Sequence, residues 1–150
     1  SDMTDSQTLT PRRLSAIMGR ASGEVLRQLA APLMERYPVT VIRRPKKTLV
    51  MIRMKETVAK ADFYLGEMLA CEALVEMAGQ KGFALMAGDD MDKVLHAAVL
   101  DAALKASLPE QAGILAALLD QEQAIRRRTA LDIQKHAPSR VEFNTLDVEY

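Results

Sequence analysis

The sequence is poor in cysteine and aromatic residues, with one cysteine, no tryptophan, and three residues each of tyrosine and phenylalanine. Because Cys71 stands alone, no disulfide can form within the chain, and a reducing cytoplasm is the expected compartment. The apolar neighbours of Cys71 predict a buried, inert thiol. His96 and His136 have no cysteine or histidine at ligand spacing, which argues against a structural zinc site. His96 is expected at the surface or near a helix cap.

The chain also lacks an excess of either charge and lacks any long apolar run. Twenty basic and twenty acidic residues cancel, so no overall field attracts nucleic acid or anionic lipid, and neither is expected as a partner. No uninterrupted apolar stretch approaches the ~20 residues that a membrane span needs, which predicts that the chain does not insert in a membrane. Any recognition of charged groups must therefore be local.

The length of 150 residues and the 49% of apolar residues suffice for one domain with a sizeable core. Residues 1–9 have neither the apolar region of a signal peptide nor the Arg-rich pattern of a transit peptide. We interpret them as a leader that is disordered or derived from a tag. Residues 10–150 are then expected to form a single domain.

Two helices are predicted near the start of the chain. Thr10 followed by Pro11 is typical of a helix N-terminus. Ser22 indicates a second start, and Pro32 should kink or break this second helix. The helix is expected to end before Pro38.

Two further helices are predicted in the second half. The stretch GDDMDKVLHAAVLDAALKASLP favours a helix capped by Asp89 or Asp90 and ended by Pro109. A last helix is expected to begin at Pro109 and to end before Pro138.

The strands are predicted from apolar, β-branched runs bounded by turn residues. Residues 39–54 indicate a hairpin with Pro45 in its turn. Phe63–Met77 predicts one long strand, because its charges change sides in a way that a β-bulge near Gly66 would produce. The AGQKG turn then predicts Gly82–Ala87 as the partner strand, and SRVEFNTLDV predicts a short final strand. The expected fold is α+β, an antiparallel sheet of hairpin-linked strands with helices packed on one face.

Motifs for catalysis are scarce. The sequence has no GxxxxGK[ST], GxGxxG or GxSxG pattern, so neither a phosphate cradle nor a nucleophile elbow is indicated. The carboxylates in GDDMD are weak candidates for Mg²⁺ ligands, although helix capping and the helix dipole explain them as well. These candidates are Asp89, Asp90 and Asp92.

Two basic clusters could meet phosphates: RRPKK, and the arginines of residues 126–128. No aromatic residue interleaves either cluster, so the stacking platform of single-strand binders is missing. A solvated hairpin tip and helix face are therefore the favoured interpretation. The residues of RRPKK that would serve in a nucleic-acid-binding domain are Arg43, Arg44, Lys46 and Lys47.

Three stretches together resemble the PhnG family of the bacterial carbon–phosphorus lyase system: FYLGEMLACEALVEM, GFALMAGDDMDKVLHAAVLDAAL and SRVEFNTLDV. The likeness covers about Pro11 to Val148. Its most specific parts are the F-[FY]-x-G-[DE] step, the G-x-D entry to the third helix, and S-R-V-[DE]-F-x-T. The positions that carry these motifs include Phe63, Gly66, Glu67, Gly88, Val141 and Phe143.

The resemblance implies a non-catalytic or accessory subunit of a complex with PhnH, PhnI and PhnJ. That complex displaces adenine from MgATP with a phosphonate and gives a ribose 1-phosphonate 5-triphosphate, with PhnI as its catalytic centre. No catalytic residue, metal or cofactor is then expected in this chain, while the complex uses MgATP. Asn144 and Asp132 depart from residues common in the family.

The end of the chain is the expected partner-binding segment. Val141 and Phe143 alternate with polar residues, as in an edge strand that packs on the core and presents polar groups outward. The candidates for partner contact are Arg140, Glu142, Asn144 and Thr145. Two alternatives remain: the final strand pairs within the sheet of its own chain, or the isolated chain forms a homodimer. A self-sufficient enzyme that binds a phosphate ligand, with metal at GDDMD and phosphate at Arg140, is the remaining alternative.

Overall fold

The structure is a computed structural model, and it describes residues 9–55, 62–135 and 146–149. Within these residues the predicted α+β class is confirmed: helices pack on an antiparallel sheet. The helices are α1 (Pro11–Arg20), α2 (Gly23–Arg36), α3 (Met91–Lys105) and α4 (Gln111–Lys135). The strands are β1 (Val39–Lys55), β2 (Asp62–Met77), β3 (Gln80–Ala87) and β4 (Leu146–Glu149).

The first two helices begin where their capping residues predict. The Thr10 hydroxyl accepts a hydrogen bond from the Arg13 N–H at 3.1 Å, and the Ser22 hydroxyl accepts one from the Glu24 N–H at 3.1 Å. Each bond satisfies a backbone donor that has no partner inside the helix. Pro32, expected to kink or break α2, lies inside the helix without ending it, so the break is wrong, and the kink stays a prediction.

The long strand predicted over Phe63–Met77 is confirmed as β2, and its partner is β3. The two are joined by a tight turn in which Ala78 and Gly79 have φ of 50° and 77°, the left-handed pair that a two-residue hairpin requires. The ladder runs from the Met77–Gln80 pair to the Ala70–Ala87 pair. The sheet order is β3-β2-β1-β4.

The hairpin predicted within residues 39–54 is wrong, because a single strand, β1, runs through the RRPKK segment. Its register against β2 shifts between Val41 and Arg43 and again between Arg43 and Lys46. Each shift inserts an additional residue into β1, as a β-bulge does. Pro45 falls in the second shift, where its missing N–H removes no regular ladder bond. A proline that would end a regular strand is thus accommodated in the middle of this one.

The bulge predicted near Gly66 is confirmed. Ile52 pairs with Gly66 and Arg53 with Tyr64, so Leu65 is left without a ladder partner in β1. Gly66 has a φ of +146°, a backbone conformation that L side chains rarely adopt. The glycine therefore allows the change of parity along β2.

The core lies between one face of the sheet and α3. Alternate residues of β2 belong to it, α2 packs against α3, and α1 contacts both β3 and α4. Leu9, at the end of the predicted leader, also packs against this core. The fully buried residues facing each other are Cys71, Ala73 and Val75 of β2 with Val94, Ala98 and Ala102 of α3.

The final strand is described only in part. β4 pairs antiparallel with β1, from Leu146 opposite Met54 to Glu149 opposite Met51. The rest of the predicted strand, residues 139–145, lies outside the described residues. Among the described residues, no helix combines the length and the apolar character that crossing a lipid bilayer requires.

Candidate functional site

The RRPKK segment lies along an open edge of the sheet. β4 covers the outer edge of β1 only from Met51 to Met54. Within the described part of the chain, the same edge has no strand partner from Val39 to Val50. We call residues 39–50 the free edge of β1. Its backbone N–H and C=O groups are open to pairing with another chain.

Glu72 of β2 holds two cations of the free edge. Arg43 Nη1 donates to Glu72 Oε1 at 3.0 Å, and Lys46 Nζ lies 3.6 Å from the same oxygen. Glu72 is only 8% exposed, so its carboxylate needs partners to offset the loss of hydration. Arg43 and Lys46 supply the positive charge that balances the Glu72 carboxylate where β1 pairs with β2.

The second bulge is what brings both cations to one carboxylate. Residues three apart in a regular strand, such as Arg43 and Lys46, point to opposite faces. The additional residue at the register shift restores the parity, so that Arg43 pairs with Leu74 and Lys46 with Glu72 on the same face. The bulged segment is therefore the structural reason for the cluster.

The same segment protects the sheet from pairing with a second copy of itself at this edge. Its positive charges would face each other in an antiparallel β1–β1 pair, and Pro45 and the two bulges interrupt a regular ladder. Arg44 and Lys47 are exposed and add to the positive charge. The surface is complementary to acidic groups of a different chain. Since Arg43 and Lys46 already face Glu72, less charge is left for a phosphate backbone than the four cations of RRPKK suggest.

The GDDMD segment forms the turn into α3. The Asp90 carboxylate accepts a hydrogen bond from the Lys93 N–H at 3.1 Å, which confirms Asp90 as the N-cap. Lys93 Nζ donates to the Gly19 carbonyl at 2.8 Å and ties the same turn to α1. Within the part of the chain that the structure describes, no three acidic, histidine or cysteine side chains converge where they could hold a metal ion.

Cys71 lies beneath this turn and is buried, as predicted. Its Sγ contacts the Asp90 carbonyl at 3.7 Å. Burial, and then the negative charges of Asp90 and Asp89, raise the pKa of the Cys71 thiol above its ordinary value. A thiol with a raised pKa forms little thiolate at neutral pH, so the site does not favour nucleophilic chemistry.

His96 is half-buried on α3, which corrects the expectation of a surface position. Its Nδ1 is buried and has no hydrogen-bond partner in the described structure. Burial lowers the pKa of His96, while the charge of Asp92 opposes that shift. The ring is therefore neutral at pH 7, and it carries no positive charge to a ligand.

A groove of about 530 Å³ lies between α2 and the start of α4. Its walls are mainly apolar, and Glu110 is its acidic residue. The Tyr37 hydroxyl donates to Glu110 Oε1 at 3.0 Å, whereas Oε2 is buried without a hydrogen-bond partner in the described structure. Burial and the contact with Glu110 raise the pKa of the Tyr37 hydroxyl. The apolar side chains that line the groove are Leu29, Pro32, Leu33, Pro109 and Ile114.

The motif positions named from the sequence do not form one site, among the residues that the structure describes. Gly66 marks the bulge of β2 and Glu67 is exposed beside it. Gly88 has a φ of +95°, and its N–H donates to the Leu69 carbonyl at 3.0 Å where the chain leaves the sheet for α3. Phe63 lies on β2 opposite Met54. The residues Arg140, Val141, Glu142, Phe143, Asn144 and Thr145 lie outside the described residues.

Glu72 is the residue that sequence reasoning missed. An acidic residue inside an apolar strand signals either a bulge or a buried ion pair, and only the bulge was inferred from it. Its partners lie about 25 to 30 positions away in the segment interpreted as a solvated turn. The pairing is therefore visible only once β1 is known to be continuous.

The fold and the free edge define an α+β protein whose most distinctive surface is suited to contact with another chain. Comparison with family models gives the family: the model described as phosphonate metabolism protein PhnG matches residues 10–147. The chain therefore belongs to the PhnG family, which has a role in phosphonate metabolism. A search of curated proteins found no match.

Proposed function

We propose that this chain is a non-catalytic, accessory subunit of a complex that transfers a phosphonate to the ribose of MgATP and releases adenine. The product of that step is a ribose 1-phosphonate 5-triphosphate. The match of the PhnG family model to residues 10–147 is the observation that carries the proposal. In this proposal the chain binds no cofactor itself, and MgATP is bound by the complex.

The partners in this proposal are PhnI-, PhnH- and PhnJ-type subunits, with the PhnI-type subunit as the catalytic centre. Two features of the described structure support a role in contact with another chain. The free edge of β1 leaves backbone groups unpaired, and its basic segment is complementary to acidic side chains. The buried thiol of Cys71 is compatible with work in a reducing cytoplasm.

The partner contacts proposed from the sequence are Arg140, Glu142, Asn144 and Thr145. A guanidinium binds a carboxylate through paired, charge-assisted hydrogen bonds, so Arg140 is the member of this set with the largest expected effect. Truncating it would leave a partner carboxylate without its countercharge. The stability of the isolated subunit should change little.

The experiment is a titration of the PhnI-type subunit with the wild type, Arg140→Ala and Arg127→Ala. Arg127 is an exposed arginine of α4 and serves as the matched control. We expect Arg140→Ala to weaken capture by about 2 kcal/mol, roughly 30-fold, and Arg127→Ala to leave capture unchanged. Equal affinity of all three proteins, with the fold intact, would remove Arg140 from the interface.

A further inference from the structure

The free edge of β1 has one regular stretch, directly beside β4. β4 pairs with β1 from Met54 to Met51, so the free edge begins at the next residue. The register of β1 against β2 is unbroken from Lys46 to Ile52, and both shifts around RRPKK come before it. An added strand can therefore continue the line of β4 along residues 46–50. We call these residues the regular stretch.

Two residues of the regular stretch have backbone groups that point outward, towards the free edge. The Gly88 N–H donates to the Leu69 carbonyl at 3.0 Å where β3 ends, so the backbone of Leu69 faces the β3 side of β2. Directly opposite residues of an antiparallel pair either bond to each other or both point away. Leu49 is opposite Leu69, so its N–H and C=O point away from β2. The same holds for Lys47, two residues earlier, whereas Thr48 bonds to β2.

The side chains of these two residues indicate what the added strand must carry. Lys47 is exposed and Leu49 is 58% exposed. Because they are two residues apart in a regular strand, both lie on the same face of the sheet. Cross-strand partners on one face contact each other, so an apolar side chain fits opposite Leu49 and a carboxylate fits opposite Lys47. In the added strand these two side chains are also two positions apart.

Positive charge predominates around the regular stretch. Residues 39–50 contain the four cations of RRPKK and no acidic residue. The paired residues 68–77 of β2 contribute Glu72 and Glu76. Glu72 is 8% exposed and already holds two of the four cations. The other two cations are exposed, so the edge favours an acidic partner.

Other acidic residues near the regular stretch leave the charge of Lys47 available. The acidic GDDMD turn lies beside Cys71, which pairs with Lys47. Within the part of the chain that the structure describes, no ion pair joins this turn to Lys47. Glu149 of β4 lies opposite Met51, roughly 13 Å along the strand from Lys47. A carboxylate brought in by an added strand would be directly opposite Lys47 and therefore closer than Glu149.

We infer that the regular stretch binds an extended acidic segment of a different chain, which joins the sheet as a strand in line with β4. Main-chain hydrogen bonds at Lys47 and Leu49 hold the segment, and a carboxylate and an apolar side chain two positions apart set its register. The free edge of a second copy does not fit, because it is basic. A nucleic acid does not fit either, since its phosphates would leave the Leu49 backbone unpaired. The inference does not depend on the proposed phosphonate complex.

The test follows backbone amide exchange by NMR in the isotope-labelled full chain, with the probe peptide acetyl-Thr-Val-Thr-Glu-Thr-Glu-Glu-amide at up to about 2 mM. In the isolated chain we expect the Thr48 amide to be protected and the amides of Lys47 and Leu49 to exchange quickly. The peptide should slow exchange at Lys47 and Leu49 about threefold or more. The same peptide with an N-methyl group on its valine has equal charge but lacks one main-chain donor, and it should have no effect.

Variants of the chain separate the backbone contribution from the charge contribution. Leu49→Pro removes an outward N–H without removing a bond to β2, so the chain should fold and bind the peptide about tenfold more weakly. Leu49→Ala keeps that N–H and should bind within about threefold of the wild type. Lys47→Glu should weaken binding about fivefold or more. Arg127→Glu makes a comparable charge change on α4, at another exposed position, and should leave binding unchanged.

Four results would overturn the inference. The first is no response to the peptide, and the second is an equal response to the N-methylated peptide or in Leu49→Pro. The third is protection of the Lys47 and Leu49 amides in the isolated chain, which would mean that the edge is already paired. The fourth is binding of random duplex DNA that Lys47→Glu weakens while the peptide does not bind, which would assign the cations to nucleic acid.

Discussion

Gly82 of β3 packs directly against the backbone of α3 at Ala98. A Cβ atom at Gly82 would overlap the Ala98 carbonyl oxygen and would lie 2.6 Å from the Ala102 nitrogen. Neither atom belongs to a side chain that can turn away. The distance between the helix and the sheet is therefore set by the absence of a side chain at this position, and the alanines of α3 complete the close approach.

Gly82→Ala is expected to destabilise the protein by about 3 kcal/mol or more, because the clash involves helix backbone and the sheet must separate from α3. Gly113→Ala on α4 is the matched control, since no atom lies within 4 Å of its added methyl group. That control should be neutral or stabilising by up to about 1 kcal/mol, from the higher helix propensity of alanine. Urea denaturation of both variants measures the difference. Equal effects would show that β3 and α3 are not in close contact.

Removing the Glu72 carboxylate and removing its two cations are expected to lower the stability of the protein by different amounts. The side chains of Arg43 and Lys46 are 50% and 56% exposed, so they regain water if Glu72 is replaced. Glu72→Met should therefore cost less than about 1 kcal/mol. Arg43→Met with Lys46→Met leaves a buried carboxylate without countercharge and should cost about 2 kcal/mol or more.

The triple variant with methionine at residues 43, 46 and 72 completes this comparison. It replaces the whole cluster by apolar groups, so it should recover most of the stability that the double variant loses. Chemical denaturation of the four proteins gives the coupling free energy. If the double variant is as stable as the wild type, the cations do not hold the Glu72 carboxylate.

Much of the fold could be predicted because local signals agreed with one another. A glycine-containing turn between two apolar runs predicts β2 and β3, and Gly66 predicts the site of the bulge. That bulge lies before Glu67 and so does not account for the opposite faces of Glu67 and Glu72, which belong to a regular part of β2. The helix caps at Thr10, Ser22 and Asp90 follow from side-chain chemistry that acts within three residues. Each of these features is set by residues that are close together in the sequence, so a single sequence is enough to predict them.

The predictions that failed depend on contacts between residues that are far apart in the sequence. Proline has a strong local preference against a strand interior, but Pro45 lies in a bulge whose existence depends on the pairing with β2. Likewise, a proline inside α2 is tolerated where the packing of Leu26 and Leu33 in the core holds the helix together. The candidate cluster was missed for the same reason, since the ion pairs of Glu72 exist only after β1 and β2 are in register.

His96 predicts a loss of stability in mild acid. Burial lowers the pKa of His96 in the folded protein, from an ordinary value of 6.5. The unfolded chain therefore binds a proton more readily as pH falls through about 6.5, and protonation favours unfolding. His96→Gln should remove this part of the pH dependence. Urea denaturation at pH 7.5 and pH 5.5 checks it, and identical losses in wild type and variant would contradict the assignment to His96.

The ion pair of Arg13 and Glu122, which joins α1 to α4, predicts a second loss of stability at a lower pH than the one from His96. The hydrogen bond from Arg13 lowers the pKa of Glu122 from an ordinary value of 4.5. The pair therefore contributes stability above that value, which is lost as pH falls below it. Glu122→Gln should lower Tm at pH 7 more than Glu24→Gln does, because Glu24 is in an exposed pair.

The pH dependence of this difference is its control. As the pH falls below the ordinary value of 4.5, the unfolded chain takes up the proton before the folded protein does, so the gap in Tm between the wild type and Glu122→Gln should narrow from pH 7 to pH 3. A gap of constant size from pH 7 to pH 3 would mean that the loss comes from packing and not from the charge of Glu122.

The accessory role is tested most directly by adenine release, measured by chromatography, in mixtures of MgATP and a phosphonate. The reactions contain this chain alone, the PhnH-, PhnI- and PhnJ-type subunits without it, or all four together. We expect no release above the no-protein control from the chain alone and full turnover only when all four are present. Release of adenine by the chain alone, or equal turnover by the other three subunits without it, would contradict the account.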